Sequence, residues 1–491
     1  SARDRGGELM HKELRRVSIV IFMMFLTLFV ASTSIQVLTA ETLSQDQRNV
    51  RSVYDSYKKQ RGSILIDGQP IAYSKQSDDV YHYLRTYTDP MFSGVTGFFS
   101  NYQGATGLES AMNSYLTGQN SAQFFEQISA LFSGNPVTGA SVELTIDPAV
   151  QKAAWDALGS MTGAVVAIEP KTGNILALVS KPGFDANLLA VHSGVDSTNN
   201  YNTLLNAKTE PLKNRATTEL FAPGSVFKIL VATAAIESGK YTPESTLPNP
   251  VKYKLPGTNT YVQNSGEGKC GGKATVSIAD ALRFSCNVPM AQLGILLGQD
   301  AIRAQAEKFG FGKSIKVPLS VTPSVYPEGM DDAQLGLSSF GQFDDRVTVM
   351  QIAMMSAAVA NGGMMMKPNL IETVLSSNLA ALSTPSPSQL GSPMSTATSA
   401  KVRDMMIGAV ARGVSSNAQI KGVSVAGKTG TAQNGQGEPY TLWFTGFAPA
   451  DNPQVAVAVV VANGGGMGQA GRGNSLAAPI AKKVMEAVLR K

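Results

Sequence analysis

Leu220-Phe221-Ala222-Pro223-Gly224-Ser225-Val226-Phe227-Lys228-Ile229-Leu230-Val231-Ala232-Thr233-Ala234-Ala235 is the stretch on which the reading of this chain turns. Pro223 and Gly224 break the chain just before Ser225, and the Ala/Val/Leu-rich run behind it has the length and composition of a buried helix. Ser225 is therefore predicted at a helix N-terminus, where free backbone N–H groups favour developing negative charge. Lys228 falls on the same face one turn later. An amine in apolar surroundings is favoured in its neutral form, because desolvation penalises the charge. A neutral amine beside a hydroxyl is a general base beside a nucleophile. The bland reading is an N-cap serine followed by a lysine that snorkels to the surface. Chance alone also supplies S-x-x-K strings: Ser56-Tyr57-Lys58-Lys59 matches, in a polar stretch with no apolar helix behind it, and reads as solvated surface.

Two motifs further along the chain raise the odds. Ser285-Cys286-Asn287 and then Lys428-Thr429-Gly430 come in that order. S-x-x-K, S-D-N and K-T-G together are a known signature of class A β-lactamases and penicillin-binding proteins, and this chain carries Cys286 at the middle position of the second motif. S-x-N is the weakest member, since Ser133-Gly134-Asn135, Ser197-Thr198-Asn199, Ser376-Ser377-Asn378 and Ser415-Ser416-Asn417 match it equally. Ser285 is preferred for its setting, an amphipathic helical pattern from Val276 to Phe284 before it and an apolar stretch from Val288 to Leu297 after it. Lys171-Thr172-Gly173 is a second K-T-G, but it lies between the apolar runs Ala164–Ile168 and Ile175–Val179 and reads as a hairpin turn. Lys428 lies instead in Val423–Ala432, an alternating strand whose small residues let a ligand approach the backbone, with strand candidates Thr441–Ala448 and Gln454–Val461 behind it.

Composition narrows the chemistry. The three histidines are His11, His82 and His192, so a Ser-His-Asp triad at Ser225 would need an imidazole from far up the chain. Two cysteines and three scattered histidines give no zinc spacing, and neither a P-loop nor a placed G-x-G-x-x-G is present, so no metal or organic cofactor is expected. A net charge of +5 on 491 residues, with no basic cluster interleaved with aromatics, argues against nucleic acid. It suits at most an anionic surface.

Along the chain, residues 1–9 read as a cloning remnant before a natural start at Met10, giving residues 1–16 as remnant and short cytoplasmic tail. Val17–Leu38 runs 22 residues without a charge and reads as a single membrane anchor, against the rival of a cleaved signal peptide. Lys12, Arg15 and Arg16 before it place the N-terminus in the cytoplasm and the rest outside. Residues 39–145 are polar and read as a small extracytoplasmic pedestal, with strand, Gly turn and strand over Arg61–Tyr73. Residues 146–491 read as one large α/β domain: a helix over Ala149–Leu158, the hairpin, the motif region, an exposed loop over Ser383–Ser399, and a C-terminal helix over Ala477–Leu489 packed on the sheet.

These motifs, with Arg61-Gly62-Ser63-Ile64, Thr145–Gln151, Ala164–Leu178, Asn214-Arg215-Ala216 and Ala360-Asn361-Gly362-Gly363, make the chain resemble the class B penicillin-binding proteins, most of all the actinobacterial penicillin-binding protein A type. The resemblance runs from the anchor to the C-terminus. Gly341-Gln342-Phe343 departs from it, since many relatives carry a second glycine there, and reads as a local loop difference without catalytic consequence. The implied fold is α/β (α+β): an antiparallel sheet flanked by helices plus a helical subdomain, as in penicillin-binding proteins and serine β-lactamases. The implied activity is D,D-transpeptidation of peptidoglycan stem peptides, with β-lactams stalling at the acyl stage. Ser225 would attack the penultimate D-Ala carbonyl, Lys228 would take its proton, and Ser285 would relay a proton to the leaving amine. Asn287 would bind substrate backbone and orient Lys228. Lys428 would supply positive potential, while Thr429, Gly430 and Thr431 would line the substrate site, the two threonines holding the donor carboxylate. The N–H groups of Ser225 and Thr431 would form the oxyanion hole. The implied partners are a polytopic glycan polymerase and division or elongation proteins.

Cys270 and Cys286 are the only cysteines and bracket a short loop. Outside the membrane they are expected to bridge, which would pin Ser285; the alternative is two reduced thiols. Other functional readings stay open: a D,D-carboxypeptidase or class D-like β-lactamase, a β-lactam sensor, and a division scaffold with an idle site. The polar region before residue 145 is too short for the glycosyltransferase domain of a bifunctional enzyme.

Overall fold

The structure, a computed structural model, describes residues 2–35, 59–133, 137–266 and 268–490. Ala2–Thr33 forms one helix, so the residues read as remnant and tail are helical as well. Within it Leu14–Thr33 is apolar enough after Arg15 and Arg16, and long enough, to cross a membrane, roughly 30 Å at the helical rise. The expected end of the anchor at Leu38 and most of the Ser56–Lys59 motif lie outside the described residues.

The polar N-terminal region builds a six-stranded sheet in the order Ala381–Ser383, Ile371–Leu375, Ser141–Leu144, Ile64–Ile66, Gln69–Gln76, Tyr83–Tyr87. Ile64–Ile66 and Gln69–Gln76 form the anticipated hairpin, turning at Asp67-Gly68 with φ of 50° and 69°. Two positive-φ residues are what a tight hairpin with strand-matched twist requires. Ile64–Ile66 then pairs in parallel with Ser141–Leu144, and Ile371–Leu375 covers the far edge of that strand. The described part of residues 39–145 therefore does not complete this sheet; two of its strands arrive from far down the chain.

Beside this sheet Glu109 is fully buried between two arginines. Its carboxylate takes Arg61 Nη2 at 2.8 Å and Arg85 Nε at 2.5 Å, and the Tyr87 hydroxyl donates to it at 3.1 Å. Burial pushes the Glu109 carboxyl up, but the two guanidinium groups hold it below the usual carboxylate range. A Cβ on Gly62 would lie 1.8 Å from the Ala140 carbonyl oxygen, which explains the glycine that follows Arg61.

The second sheet is antiparallel throughout, in the order Ala426–Ala432, Thr441–Ala448, Val455–Val461, Gly163–Ile168, Ile175–Lys181. The expected strands lie where the sequence placed them, within two residues at each end except that the K-T-G strand begins at Ala426 instead of Val423. Asp147 caps the helix Pro148–Leu158 by accepting from the N–H groups of Ala149 and Val150, with Pro148 at its first position. Val165 and Ala167 pack in a core with Val150, Ala154 and the C-terminal helix Gly473–Leu489. Ala164, Val166 and Ile168 face the other way, into a core with the helices Lys228–Glu237 and Val349–Ala360. Coverage on both faces is why the K-T-G strand is buried almost without interruption instead of alternating.

The Ser383–Ser399 stretch departs from its reading as a plain loop. Gln389–Gly391 pairs with Met365–Met366, and the helix Thr396–Arg412 begins inside it. Ser395 caps that helix by accepting from Thr398 N, so part of the Ser/Thr richness is a helix start.

Replacing Glu109 by Ala leaves two buried guanidinium groups without a counter-charge. Glu109→Ala is expected to cost about 3–5 kcal/mol, read as a lowered unfolding midpoint. Lys152→Ala, which breaks the exposed Lys152–Asp156 pair, is expected to leave that midpoint essentially unchanged, because solvent screens the pair.

Candidate active site

Ser225 lies inside a 3₁₀ turn, Gly224–Phe227, that runs directly into the α-helix Lys228–Glu237. The sequence reading placed Ser225 at the start of an α-helix; the tighter turn corrects it and has a consequence. In 3₁₀ geometry residues i and i+3 eclipse, so Lys228 stacks directly behind Ser225. The turn sits hard against the K-T-G strand: Gly224 has φ of 54°, and a Cβ there would come within 2.9 Å of the Thr431 carbonyl. Trp443 Nε1 on the neighbouring strand donates to Ala222 O at 2.9 Å and fixes the approach to the turn. The backbones of Ser225 and Thr431, the two expected oxyanion donors, are thus held side by side.

Lys228 is fully buried, and its Nζ donates to Asn287 Oδ1 at 2.8 Å and Ser285 O at 2.8 Å and lies 3.2 Å from Ser285 Oγ. Lys428, also fully buried, donates to the same Ser285 Oγ at 2.8 Å and to Thr429 O at 2.8 Å. One hydroxyl therefore bridges two lysines from different elements. Burial, and then the charge of Lys428, push the Lys228 amine well below the usual lysine range. Burial pushes Lys428 down to about 7. Among the described residues no hydrogen bond joins Ser225 Oγ to Lys228; the amine is held by its contacts to the S-x-N segment.

Ser285 has φ of 58°, unusual for a serine, and its neighbours hold it there. The next residue, Cys286, is joined to Cys270 by a disulfide with a Cα–Cα separation of 5.6 Å, and Asn287 after it opens the helix Asn287–Leu297. Thr429 N donates to Ser415 Oγ at 3.0 Å, and Gly473 N donates to Thr431 Oγ1 at 3.4 Å. Ser225, Ser285, Asn287, Thr429, Gly430 and Thr431 all line one cleft of about 870 Å³, with Lys228 and Lys428 behind its wall.

Two features escaped the sequence reading. Ser415-Ser416-Asn417 is one of the S-x-N matches set aside there, yet Ser415 is buried against the K-T-G strand and anchors Thr429 through backbone and hydroxyl. The Gly341-Gln342-Phe343 loop, taken to be without consequence, touches the nucleophile turn: Gly224 N donates to Gly341 O at 2.9 Å, and Gln342 and Phe343 line the cleft. Asp345 moors this loop from below. It is fully buried, accepts from Ser338 Oγ at 2.8 Å, and is pushed well above the usual carboxylate range by burial. By contrast Lys171-Thr172-Gly173 is a hairpin turn, as read, with Gly173 at φ of 82°.

A Cβ on Gly341, whose φ is 81°, would lie 1.9 Å from Gly224 O. Gly341→Ala is therefore expected to displace the Ser225 turn and to lower both the unfolding midpoint and the rate at which a fluorescent penicillin labels Ser225. An unchanged labelling rate would show that the loop and the turn are independent.

Comparison with known proteins agrees with this geometry. Residues 163–486 match the penicillin binding protein transpeptidase domain, and residues 61–142 match the penicillin binding protein A dimerisation domain. The chain is 38% identical to the peptidoglycan D,D-transpeptidase PbpA of Mycolicibacterium smegmatis, over 98% of this chain and 99% of that one. It is 39% identical to PbpA of Mycobacterium tuberculosis with the same coverage. Among solved structures it is similar to the ceftriaxone acyl-enzyme complex of penicillin-binding protein A from M. tuberculosis, with a TM-score of 0.85 over 89% of this chain and 100% of that one, at 39% identity. The penicillin G acyl-enzyme complex of that protein superposes with a TM-score of 0.83 over 88% of this chain and 100% of that one, at 38% identity. In fold and over nearly its whole length, the chain belongs to the class B penicillin-binding protein transpeptidases.

Proposed function

We propose that this protein is a serine-type peptidoglycan D,D-transpeptidase that works through a Ser225 acyl-enzyme and is blocked covalently by β-lactams. The observation that carries the proposal is the pair of buried lysines converging on Ser285 beside Ser225. Relatives named as D,D-transpeptidases, and acyl-enzyme structures of a similar protein, support it.

The protonation pattern assigns the roles. A neutral Lys228 has two N–H donors and one lone pair. Its two 2.8 Å contacts, to Ser285 O and Asn287 Oδ1, use the donors. The lone pair is then free for a proton from Ser225 as Oγ attacks the penultimate D-Ala carbonyl. Ser285 Oγ accepts from Lys428 at 2.8 Å, which leaves its own proton to pass on. As the C–N bond breaks, that proton goes to the departing D-Ala nitrogen, and Ser285 is resupplied from Lys228. The N–H groups of Ser225 and Thr431 take the oxyanion, and Thr429 and Thr431 take the terminal carboxylate. An amine of a neighbouring stem peptide then attacks the acyl carbon, Ser225 leaves with its proton restored, and a cross-link remains. The apolar N-terminal helix would anchor the chain with Lys12, Arg15 and Arg16 on the cytoplasmic side and the catalytic domain outside. A disulfide suits that side. A polytopic glycan polymerase and division or elongation proteins are the partners such an anchor would serve.

Intact mass after incubation with a penicillin tests the reading. Wild type is expected to carry one lasting adduct and Ser225→Ala none; an adduct that forms and is quickly lost would indicate a hydrolase instead. Acylation is also expected to follow a bell-shaped pH profile. The rate rises as Lys228 sheds its proton, and it falls as the pH passes about 7, where Lys428 loses its charge. A rate that climbs steadily to pH 9 would contradict these roles.

A further inference from the structure

We propose that Asn264, seconded by Asn249, is a positioning residue for catalysis: it caps the helix of the S-x-N motif from another loop and through Asn287 sets Lys228 as a base. The proposal rests on the acylation assigned above and adds to it a residue outside the three motifs.

The helix Asn287–Leu297 begins without a cap of its own, since Cys286 at its N-cap position offers no side-chain hydrogen bond. The first N–H groups of a helix have no intrahelical acceptor. Asn264 provides one in trans. Its Oδ1 accepts from Asn287 N at 2.9 Å and Val288 N at 3.0 Å. Its Nδ2 donates to Asn249 Oδ1 at 3.2 Å and Gly268 O at 3.3 Å. Asn249 in turn donates to Cys270 O at 2.7 Å and Lys273 O at 2.8 Å, and accepts from Cys270 N at 3.3 Å. Both side chains are buried, Asn264 at 3% exposure and Asn249 at 0%. Each amide is saturated in one orientation only, because a flip of either would set N–H against N–H.

A buried asparagine capping a helix is ordinarily a matter of stability. What separates Asn264 is the residue it holds. The first N–H it takes belongs to Asn287, whose Oδ1 receives Lys228 Nζ at 2.8 Å and whose Nδ2 donates to Gln263 O at 3.1 Å. Gln263 and Ser265, the neighbours of Asn264, line the cleft, so the same residue ties the cleft wall to the base. The Cys270–Cys286 bridge and the Asn249–Asn264 pair are two parallel links, one covalent and one not, from the Cys270 loop to the S-x-N segment. Lys428 is the charged group that acts on Lys228 among the described residues; Ser285 and Asn287, which contact Lys228 directly, do not titrate.

The test is the rate of acylation of the full-length protein by a fluorescent penicillin, measured across pH for Asn264→Ala, Asn264→Asp, Asn287→Ala and the double variant Asn264→Ala/Asn287→Ala. Ser225→Ala, run beside them, checks the underlying acylation separately. Asn264→Ala is expected to slow acylation on the order of 10²-fold, the cost of misplacing a catalytic group by about an ångström. In the Asn287→Ala background it is expected to add almost nothing, because both changes break one path. Asn264→Asp keeps the acceptors of the helix start and adds a negative charge that favours protonated Lys228. Its rising limb is expected to move to higher pH, so that the gap to wild type narrows as the pH climbs toward the falling limb near 7. Equal losses from Asn264→Ala with and without Asn287, or an unmoved limb in Asn264→Asp, would overturn the proposal. Failure of both single Asn264 variants to fold would assign Asn264 to the fold alone and overturn it equally.

Discussion

Two lysines with no exposed surface meet at one serine hydroxyl, and the architecture around Ser225 follows from that constraint. Burying one ammonium is expensive, and burying two side by side is worse, so the site is stable only if one amine gives up its proton. One neutral amine is thereby set by the fold before any substrate arrives. Holding the arrangement takes three separate pieces of chain at fixed distances. The nucleophile turn is clamped by glycines on the K-T-G strand and on the Gly341 loop. The K-T-G strand is buried on both faces of its sheet. The S-x-N segment is held at an unfavourable φ by a disulfide and a helix start.

The N-terminal region solves a different problem with similar means. It is polar and small, and its hydrophobic interior alone would be thin. A buried carboxylate between two guanidinium groups supplies a specific junction there, and both arginines also reach other groups, Asn113 and the carbonyl of Gly62. Such a cluster adds less stability than apolar packing of the same volume. It does fix the position of Arg61-Gly62 against the strand Ser141–Leu144, where the backbone of Ala140 leaves room for no side chain at residue 62.

Much of this was legible in the sequence, for identifiable reasons. The K-T-G strand, its two partners and the Ala164–Val179 hairpin announced themselves because apolar runs bounded by turn residues have few alternatives. Ser225, Lys228, Ser285 and Lys428 could be picked out because their order and settings are jointly improbable by chance. What stayed hidden was contact between distant segments. Ser415 looked like one spurious S-x-N string among several, because nothing local reveals that its hydroxyl meets Thr429. Asn249 and Asn264 sit in polar, glycine-rich loops where asparagine is commonplace, and only their burial separates them from turn residues. The 3₁₀ form of the Ser225 turn, and the strand and helix within Ser383–Ser399, were missed because a Pro-Gly or Ser/Thr-rich stretch signals a break without saying what resumes after it.

The joining of Ile371–Leu375 and Ala381–Ser383 to the N-terminal sheet has a consequence for how the molecule comes into being. A polypeptide is made from its N-terminus onward, so the edge of Ser141–Leu144 waits, with unpaired backbone groups, until more than two hundred further residues have been added. Early folding of the first region alone cannot finish, and the chain must be made as far as Ser383 before the sheet closes. The last stitch of the N-terminal region is thus also a sign that the segments carrying Ser225, Ser285 and the Gly341 loop have been laid down, while the K-T-G strand is still to come. Long-range pairing of this kind is slow to form, and it places a window of vulnerability to proteases and to aberrant strand pairing in the half-made chain.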